Sequence, residues 1–394
     1  MFKIILPLLL LCNTLSLSAQ VVKNVIVTSP GTLGSVLTDE EKSSVTSLII
    51  TGDIDASDFV VMRDQMPVLA EIDLSQVTIN EYNGSGGPNP DFTNYPAHCI
   101  PSDAFYNPTI APYNGKETLT RIVFPSTLQV IDIQAFANCY NLIEAEFPQS
   151  QSLSTIRVGA FFGCNNLTSK VIPASVSVID PMAFSNSSGD VTVANDNPNY
   201  SSIDGVLFDK NQTTLIHIPT NKAGSYVIPL TVTTIAQQAF RRCHQLSTVT
   251  LPENLSRIED GAFCECFELS SITFPESVNY IGPRAFAFCN KLQNIEIPPR
   301  ITVIESGAFY ACIDLITVNI PFGVTTIKTD AFYACNGLSS IVLPASVKTI
   351  ESFAFSQDTT TVSKIDSVVV ESPVPIDLSN SAGVFLMLIP LTAH

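Results

Sequence analysis

The chain has 394 residues, only 14% of them charged, and a net charge of −17. Such an acidic surface repels phosphate backbones and anionic membranes, so nucleic-acid partners are excluded. Four histidines and no tryptophan leave little of the usual material for catalysis or for stacking on sugars.

Residues 1–19 read as an export signal: Lys3, an apolar core from Ile4 to Leu11, then a polar stretch to Ala19. Cleavage after Ala19 would leave Gln20 first. The apolar run is too short to span a bilayer, so no membrane insertion is expected. Cys12 would suit lipid attachment behind a small residue, but Leu11 is large. Residues 20–117 read as an N-terminal cap of degenerate repeats. There Leu48–Ile50 and Ile72–Leu74 predict strands, and Ser57–Met66 a helix capped by Asp55 or Ser57. Asp53, Asp55 and Asp58 lack the spacing and glycine of a calcium loop, so capping is their expected work. Asn83–Pro90 predicts a loop.

Residues 118–356 are repetitive. An Ala-Phe pair recurs at Ala239-Phe240, Ala262-Phe263, Ala285-Phe286, Ala308-Phe309, Ala331-Phe332 and Ala354-Phe355, always 23 residues apart. Less even copies precede it at Ala104-Phe105, Ala135-Phe136, Ala160-Phe161 and Ala183-Phe184. A fixed period of this size means stacked coils, each burying its apolar side chains against its neighbours. In Leu269–Cys289, LSSITFPESVNYIGPRAFAFC, the residues Leu269, Ile272 and Phe274 predict a strand. Pro275 ends it, having no N–H for a ladder. Val278 and Ile281 predict an extended segment on the opposite wall, and Ala285-Phe286 one helical or 3₁₀ turn. The expected fold is an α/β repeat solenoid of the leucine-rich repeat type. One parallel strand per coil forms a sheet on the concave face, with short turns or helical turns opposite. Ten or so coils at about 4.8 Å each would span roughly 50 Å. A parallel β-helix is the alternative, disfavoured because coils built only of strands need no Ala-Phe turn.

Between Phe184 and Phe240 the period is broken by extra sequence. Val206–Phe208 and Leu215–Ile218, joined by DKNQT, predict a β-hairpin insertion over about 190–226. Residues 357–394 read as a partial repeat ending in the apolar GVFLMLIPLTAH, either truncated or naturally short.

The run L-x-x-I-x-[FIL]-P-x-x-V-x-x-I-x-x-x-A-F-x-x-C resembles the BspA-like subfamily of leucine-rich repeats over about residues 119–356. Upstream, PGTLGSVLTDEEK and IDASDFVVMRDQMPVLAEIDLS are similar to the N-terminal part of those proteins, and the 190–226 insertion is similar to one recurring among them. The resemblance implies a secreted or cell-surface protein of a host-associated microbe that adheres or binds ligands, with extracellular-matrix proteins as the ligand class. The export signal agrees with that location.

The outward positions of the strands are the candidate binding surface: Ser270, Ser271, Thr273, Gln293, Asn294, Glu296, Thr317 and Asn319. They are small, polar and nearly uncharged, suited to hydrogen bonding with an extended protein partner. Capture of a glycan or nutrient at the cell surface is the alternative, weakened because this face offers no aromatic platform. Seven cysteines sit three residues after the repeat phenylalanine: Cys139, Cys164, Cys243, Cys266, Cys289, Cys312 and Cys335. A position fixed within the coil predicts stacked, buried thiols; disulfides are the competing reading in oxidising surroundings. Parallel side chains in register do not favour the disulfide torsion.

No cofactor and no metal are expected. Cys264 and Cys266 have no second pair at zinc-site spacing. His98, His217, His244 and His394 fall in no hydrolase or metalloprotease motif, and Cys243 beside His244 is a poor nucleophile pair because sequence neighbours rarely face each other. An enzyme is not expected.

Overall fold

The computed structural model describes residues 20–109, 114–148, 150–357, 365 and 367–371. The export signal, Cys12, His394 and the apolar tail lie outside the described residues.

Two parallel ladders and a turn edge run along the molecule. The first ladder uses the Leu-x-x-Ile-x-Phe positions. Val22–Val27, Ser47–Ile54, Glu71–Ile79, Arg121–Val123 and Glu144–Glu146 pair in that order, and the pattern continues in parallel pairs: Ser169–Ile172 beside Asp190–Val193, Ala223–Val227 beside Gln245–Thr250, Asn294–Glu296 beside Thr317–Asn319, and Ser340–Leu343 beside Ser367–Val370. Side chains alternate as a period of two demands: Ile295 is buried between exposed Asn294 and Glu296. In the coil of Ile272 the strand shrinks to a single bridge between Thr248 and Ser271, yet the alternation persists.

The expectation of one strand per coil is corrected. The Val-x-x-Ile segment makes a second parallel ladder of two-residue strands, such as Arg257–Ile258 beside Tyr280–Ile281 and Val303–Ile304 beside Thr326–Ile327 and Thr349–Ile350. Backbone groups brought into register by a constant period have only each other to bond with. Two residues are too few to show a strand pattern in sequence.

The Ala-Phe segment is not a helical turn either. Arg284 (φ 54) and Phe288 (φ 61) adopt the left-handed conformation around Ala285-Phe286, and Gly261 and Gly307 occupy the position of Arg284 in neighbouring coils. These reversals turn alternate N–H groups toward the next coil. Arg284, Phe286 and Phe288 donate to the carbonyls of Ser306, Ala308 and Tyr310 at 3.0, 2.8 and 2.7 Å. Each left-handed non-glycine residue costs about 1–2 kcal/mol, offset here by a complete set of intercoil bonds. At the N-terminal end of this edge the carbonyls of Asp103 and Tyr106 both accept from Arg63 Nη1 at 2.9 Å, so a guanidinium closes the electronegative end.

Arg63 belongs to the N-terminal segment, where Asp55 caps a helix at Ala56–Val60 that continues as a π turn through Gln65. Asp58 is fully buried and accepts from the backbone N–H of Gly31, Leu33 and Asp55 at 2.8–3.0 Å. Both acids thus serve the backbone of the cap.

The phenylalanines form two stacks. Rings of Phe105, Phe136, Phe161 and Phe184 follow one another at 5.2–5.6 Å, and those of Phe240, Phe263, Phe286, Phe309, Phe332 and Phe355 at 4.5–5.5 Å. The break falls at the insertion. Tyr200–Ile203, Val206–Asp209 and Thr214–His217 form an antiparallel meander whose last strand joins the second ladder beside Thr234–Ile235. It does not project as a free hairpin: Val206, Leu207 and Phe208 are fully buried. The apolar core divides here into two clusters, one reaching from Val25 to Leu207 and the other from Val206 to Ile365.

Polar groups are concentrated at this seam. Lys170, which holds the repeat position of Ile272, is completely buried and donates to the carbonyls of Ser188 and Gly189. Its ammonium lies 5.9 Å from the Phe184 ring centroid, and the buried ring of His217 lies 6.1 Å from the same ring. Among the described residues neither His217 nitrogen has a hydrogen-bond partner.

Candidate functional site

All eight candidate residues, Ser270, Ser271, Thr273, Gln293, Asn294, Glu296, Thr317 and Asn319, are exposed. The strand places them: Ile272 and Ile295 are buried and Val318 packs half-buried on the core, which sends their neighbours out. Six of the eight line two shallow grooves. Ser271 and Thr273 lie in the first, of about 480 Å³, with Thr248, Thr250, Glu253 and Glu276. Asn294, Glu296, Thr317 and Asn319 lie in the second, of about 550 Å³, with Phe322, Val342 and Glu371. Thr317 Oγ1 donates to Asn294 Oδ1 at 2.6 Å, which ties two coils together and occupies the amide oxygen, so outward Asn294 has its N–H groups to offer a partner. Ser270 and Gln293 line neither groove. They occupy the bend before the strand, where the Gln293 carbonyl accepts the N–H groups of both Ile316 and Thr317.

Four groove residues escaped the sequence reading: Glu253, Glu276, Phe322 and Glu371. The first three each follow the proline that ends a strand, a position the repeat fixes as firmly as the strand itself. A larger depression of about 690 Å³ lies at the other end of the molecule, lined by bend residues such as Thr46, Glu117, Asn141 and Ile143. There Glu71 already accepts from Gln20 and Ser47.

The cysteine ladder faces inward. Thiols of Cys164, Cys266, Cys289, Cys312 and Cys335 donate to the carbonyl of the preceding coil's phenylalanine at 3.0–3.2 Å, and Cys139 to that of Phe105 at 3.6 Å. Cys243 instead reaches Pro219 O at 4.0 Å, because the preceding coil lacks an Ala-Phe turn. Burial raises all of these thiols whose shifts are resolved, that of Cys139 to about 12. Cys243 and His244 do not form a pair: the thiol is buried, while the imidazole is exposed and stacks on Phe267 at 4.5 Å. We expect a thiol reagent to leave the native chain almost untouched, with Cys264 the most accessible, and to titrate all nine described cysteines after unfolding. Fewer than nine after unfolding would mean that disulfides had formed.

Among the described residues no His/Cys/Asp/Glu group could hold a metal ion, and no helix is long and apolar enough to cross a membrane. Stacked coils with parallel ladders and a repeating Leu-x-x-Ile-x-Phe-Pro strand define a leucine-rich repeat solenoid, a scaffold that generally binds proteins. The BspA type leucine rich repeat region matches in six copies over residues 100–226, 220–339 and 303–371, and the chain belongs to this family. Among solved structures it is similar to a leucine-rich repeat protein from Eubacterium ventriosum, with 22% identity, a TM-score of 0.56, and coverage of 83% of this chain and 91% of that one. The pneumococcal vaccine antigen PcpA follows at 20% identity and a TM-score of 0.51, covering 83% and 80%. A leucine rich cell surface protein from Faecalibacterium prausnitzii shows 25% identity and a TM-score of 0.48, covering 83% and 79%. No curated protein matches the chain.

Proposed function

We propose that this is an exported, non-enzymatic binding protein that presents its first-ladder strand face to an extracellular protein, with matrix proteins as the first candidates. One observation carries the reading. Along the strands from Gln245 to Val370, the inward positions stay apolar while the outward ones change from coil to coil. A surface free to vary on a constant frame is where a repeat scaffold acquires specificity. Export rests on residues 1–19, and the cell-surface location on the family's usual place.

Glycan capture remains the alternative, and its best support would be an exposed aromatic row. Phe288, Tyr310 and Tyr333 do form a row on the turn edge, at 5.2 and 5.0 Å, but only Phe288 is exposed and both tyrosines are half-buried. Tyr310 and Tyr333 are stacked within 13°, however, so their facing surfaces cover one another instead of lying open to a sugar. The test is to expose the mature chain to immobilised extracellular-matrix proteins and to a glycan array. Retention by at least one matrix protein is expected; binding to glycans alone would reverse the two readings.

A further inference from the structure

The strand face of the C-terminal half is graded. Across six successive coils the central outward row is small and uncharged: Thr248, Ser271, Asn294, Thr317, Ser340 and Ser367. In the two grooves beside it the charges are all of one sign. Glu253 and Glu276 line the first groove and Glu296 and Glu371 the second, with no lysine or arginine in either lining. Among the described residues none of these four acids forms an ion pair. The N-terminal half differs, since there Arg121 is paired with Glu144 and Glu146 on the same face.

Toward Val370 open apolar side chains gather around Glu371, whereas at the other end Val227 stands alone beside Thr250. Phe322 is 79% exposed, Val342 48% and Val369 52%, with Val342 and Val369 directly opposite one another on paired strands. A phenylalanine left this open in the groove that Val342 also lines is an unmet hydrophobic surface. It adjoins the polar row, not the chain's core.

From these features we infer that the partner is an extended polypeptide segment lying across the strands, basic at one end and apolar at the other. Its lysines or arginines sit over Glu253, Glu276 and Glu296, its middle bonds to Asn294 and Thr317, and its apolar side chains cover Phe322, Val342 and Val369. Six coils at about 4.8 Å span roughly 24 Å, the reach of about seven extended residues. A second copy of this chain is disfavoured as occupant, because its net charge of −17 would bring acid against acid. The inference rests on the proposed strand-face reading and adds the chemistry of what binds there.

The probe is a synthetic peptide in which Lys-Arg-Lys is followed by Ser-Thr and then Val-Phe-Leu, with a control carrying Glu-Asp-Glu in place of the basic residues. Binding to the mature chain is measured by fluorescence anisotropy over a salt series. The basic peptide should bind, weaken as salt rises, and bind Glu276→Gln/Glu296→Gln on the order of tenfold more weakly. Phe322→Ser/Val342→Ser should weaken it comparably with the salt dependence retained. All four positions are exposed, so the variants should melt like the parent. Equal binding of the acidic control, or no effect of the Glu→Gln pair, overturns the inference. Failure of the peptide while a matrix protein still needs Gln293, Asn294 and Glu296 overturns the chemistry and leaves the strand-face reading intact. Peptide binding beside a matrix protein indifferent to those residues overturns only the reading of function.

Discussion

Phe286→Ala or Phe309→Ala should destabilise the C-terminal half by roughly 3–5 kcal/mol. Both rings are completely buried. Phe286 stacks on Phe263 at 5.0 Å and on Phe309 at 5.5 Å, and takes the edge of Phe274 at 5.4 Å. Removing it opens a void that left-handed, intercoil-bonded turns cannot collapse to fill. Because cohesion passes only between neighbouring coils, and because the core is split near residue 206, the loss should remain local. Calorimetry should show the block from Val206 onward melting early while the block up to Leu207 keeps its transition. Phe136→Ala should do the reverse. A single unaltered melt, shifted by less than about 1 kcal/mol, would place these rings outside the core.

The second large effect concerns pH. Complete burial lowers the Lys170 ammonium from the ordinary 10.5 to about 7, with Cys164 and Asp190 pulling weakly the other way. Burial, with Lys170 nearby, also holds His217 well below the usual histidine range. Both shifts disfavour the charged form in the folded state. Between about pH 10.5 and 7 the unfolded chain holds the lysine proton more tightly than the folded chain, so stability falls as pH falls through that window. Below about 6.5 the histidine extends the loss in the same direction. The lysine shift corresponds to on the order of 5 kcal/mol between its two limits. Lys170→Met removes the ammonium but orphans the carbonyls of Ser188 and Gly189. The variant should therefore be the more stable protein at pH 6 and the less stable one at pH 10, with a flatter profile between. Parallel denaturation profiles for parent and variant would contradict a buried titrating lysine.

The repeat was legible because a constant period constrains many residues at once. Ala285, Phe286 and Cys289 announce the turn edge, and Ile272 and Ile295 the inward side of the first ladder. What the sequence hid depends on backbone rather than side-chain pattern. The second ladder consists of pairs such as Val303–Ile304, too short for alternation. The turn edge depends on left-handed residues as unlike as Gln238, Arg284 and Phe353, which no composition rule would select. The insertion showed its strands but not that they are built into the wall. The seam itself was open to reading: Lys170 stands where the repeat puts isoleucine, and alignment of the coils exposes it. On the candidate face, strand alternation found Asn294, Glu296, Thr317 and Asn319, but stopped at the proline and so missed Glu276 and Phe322.

The proposed function requires the partner to dock on the strand face. The direct measurement is binding of the mature chain and of Gln293→Ala/Asn294→Ala/Glu296→Ala to a retained matrix protein. Exposed positions change stability by only about 0.5 kcal/mol each, so the triple variant should melt like the parent. It should bind on the order of tenfold more weakly. Unchanged binding by that variant, together with loss of binding in a folded Val227→Ser/Leu230→Ser variant, would move the site to the exposed flank of the insertion and contradict the account.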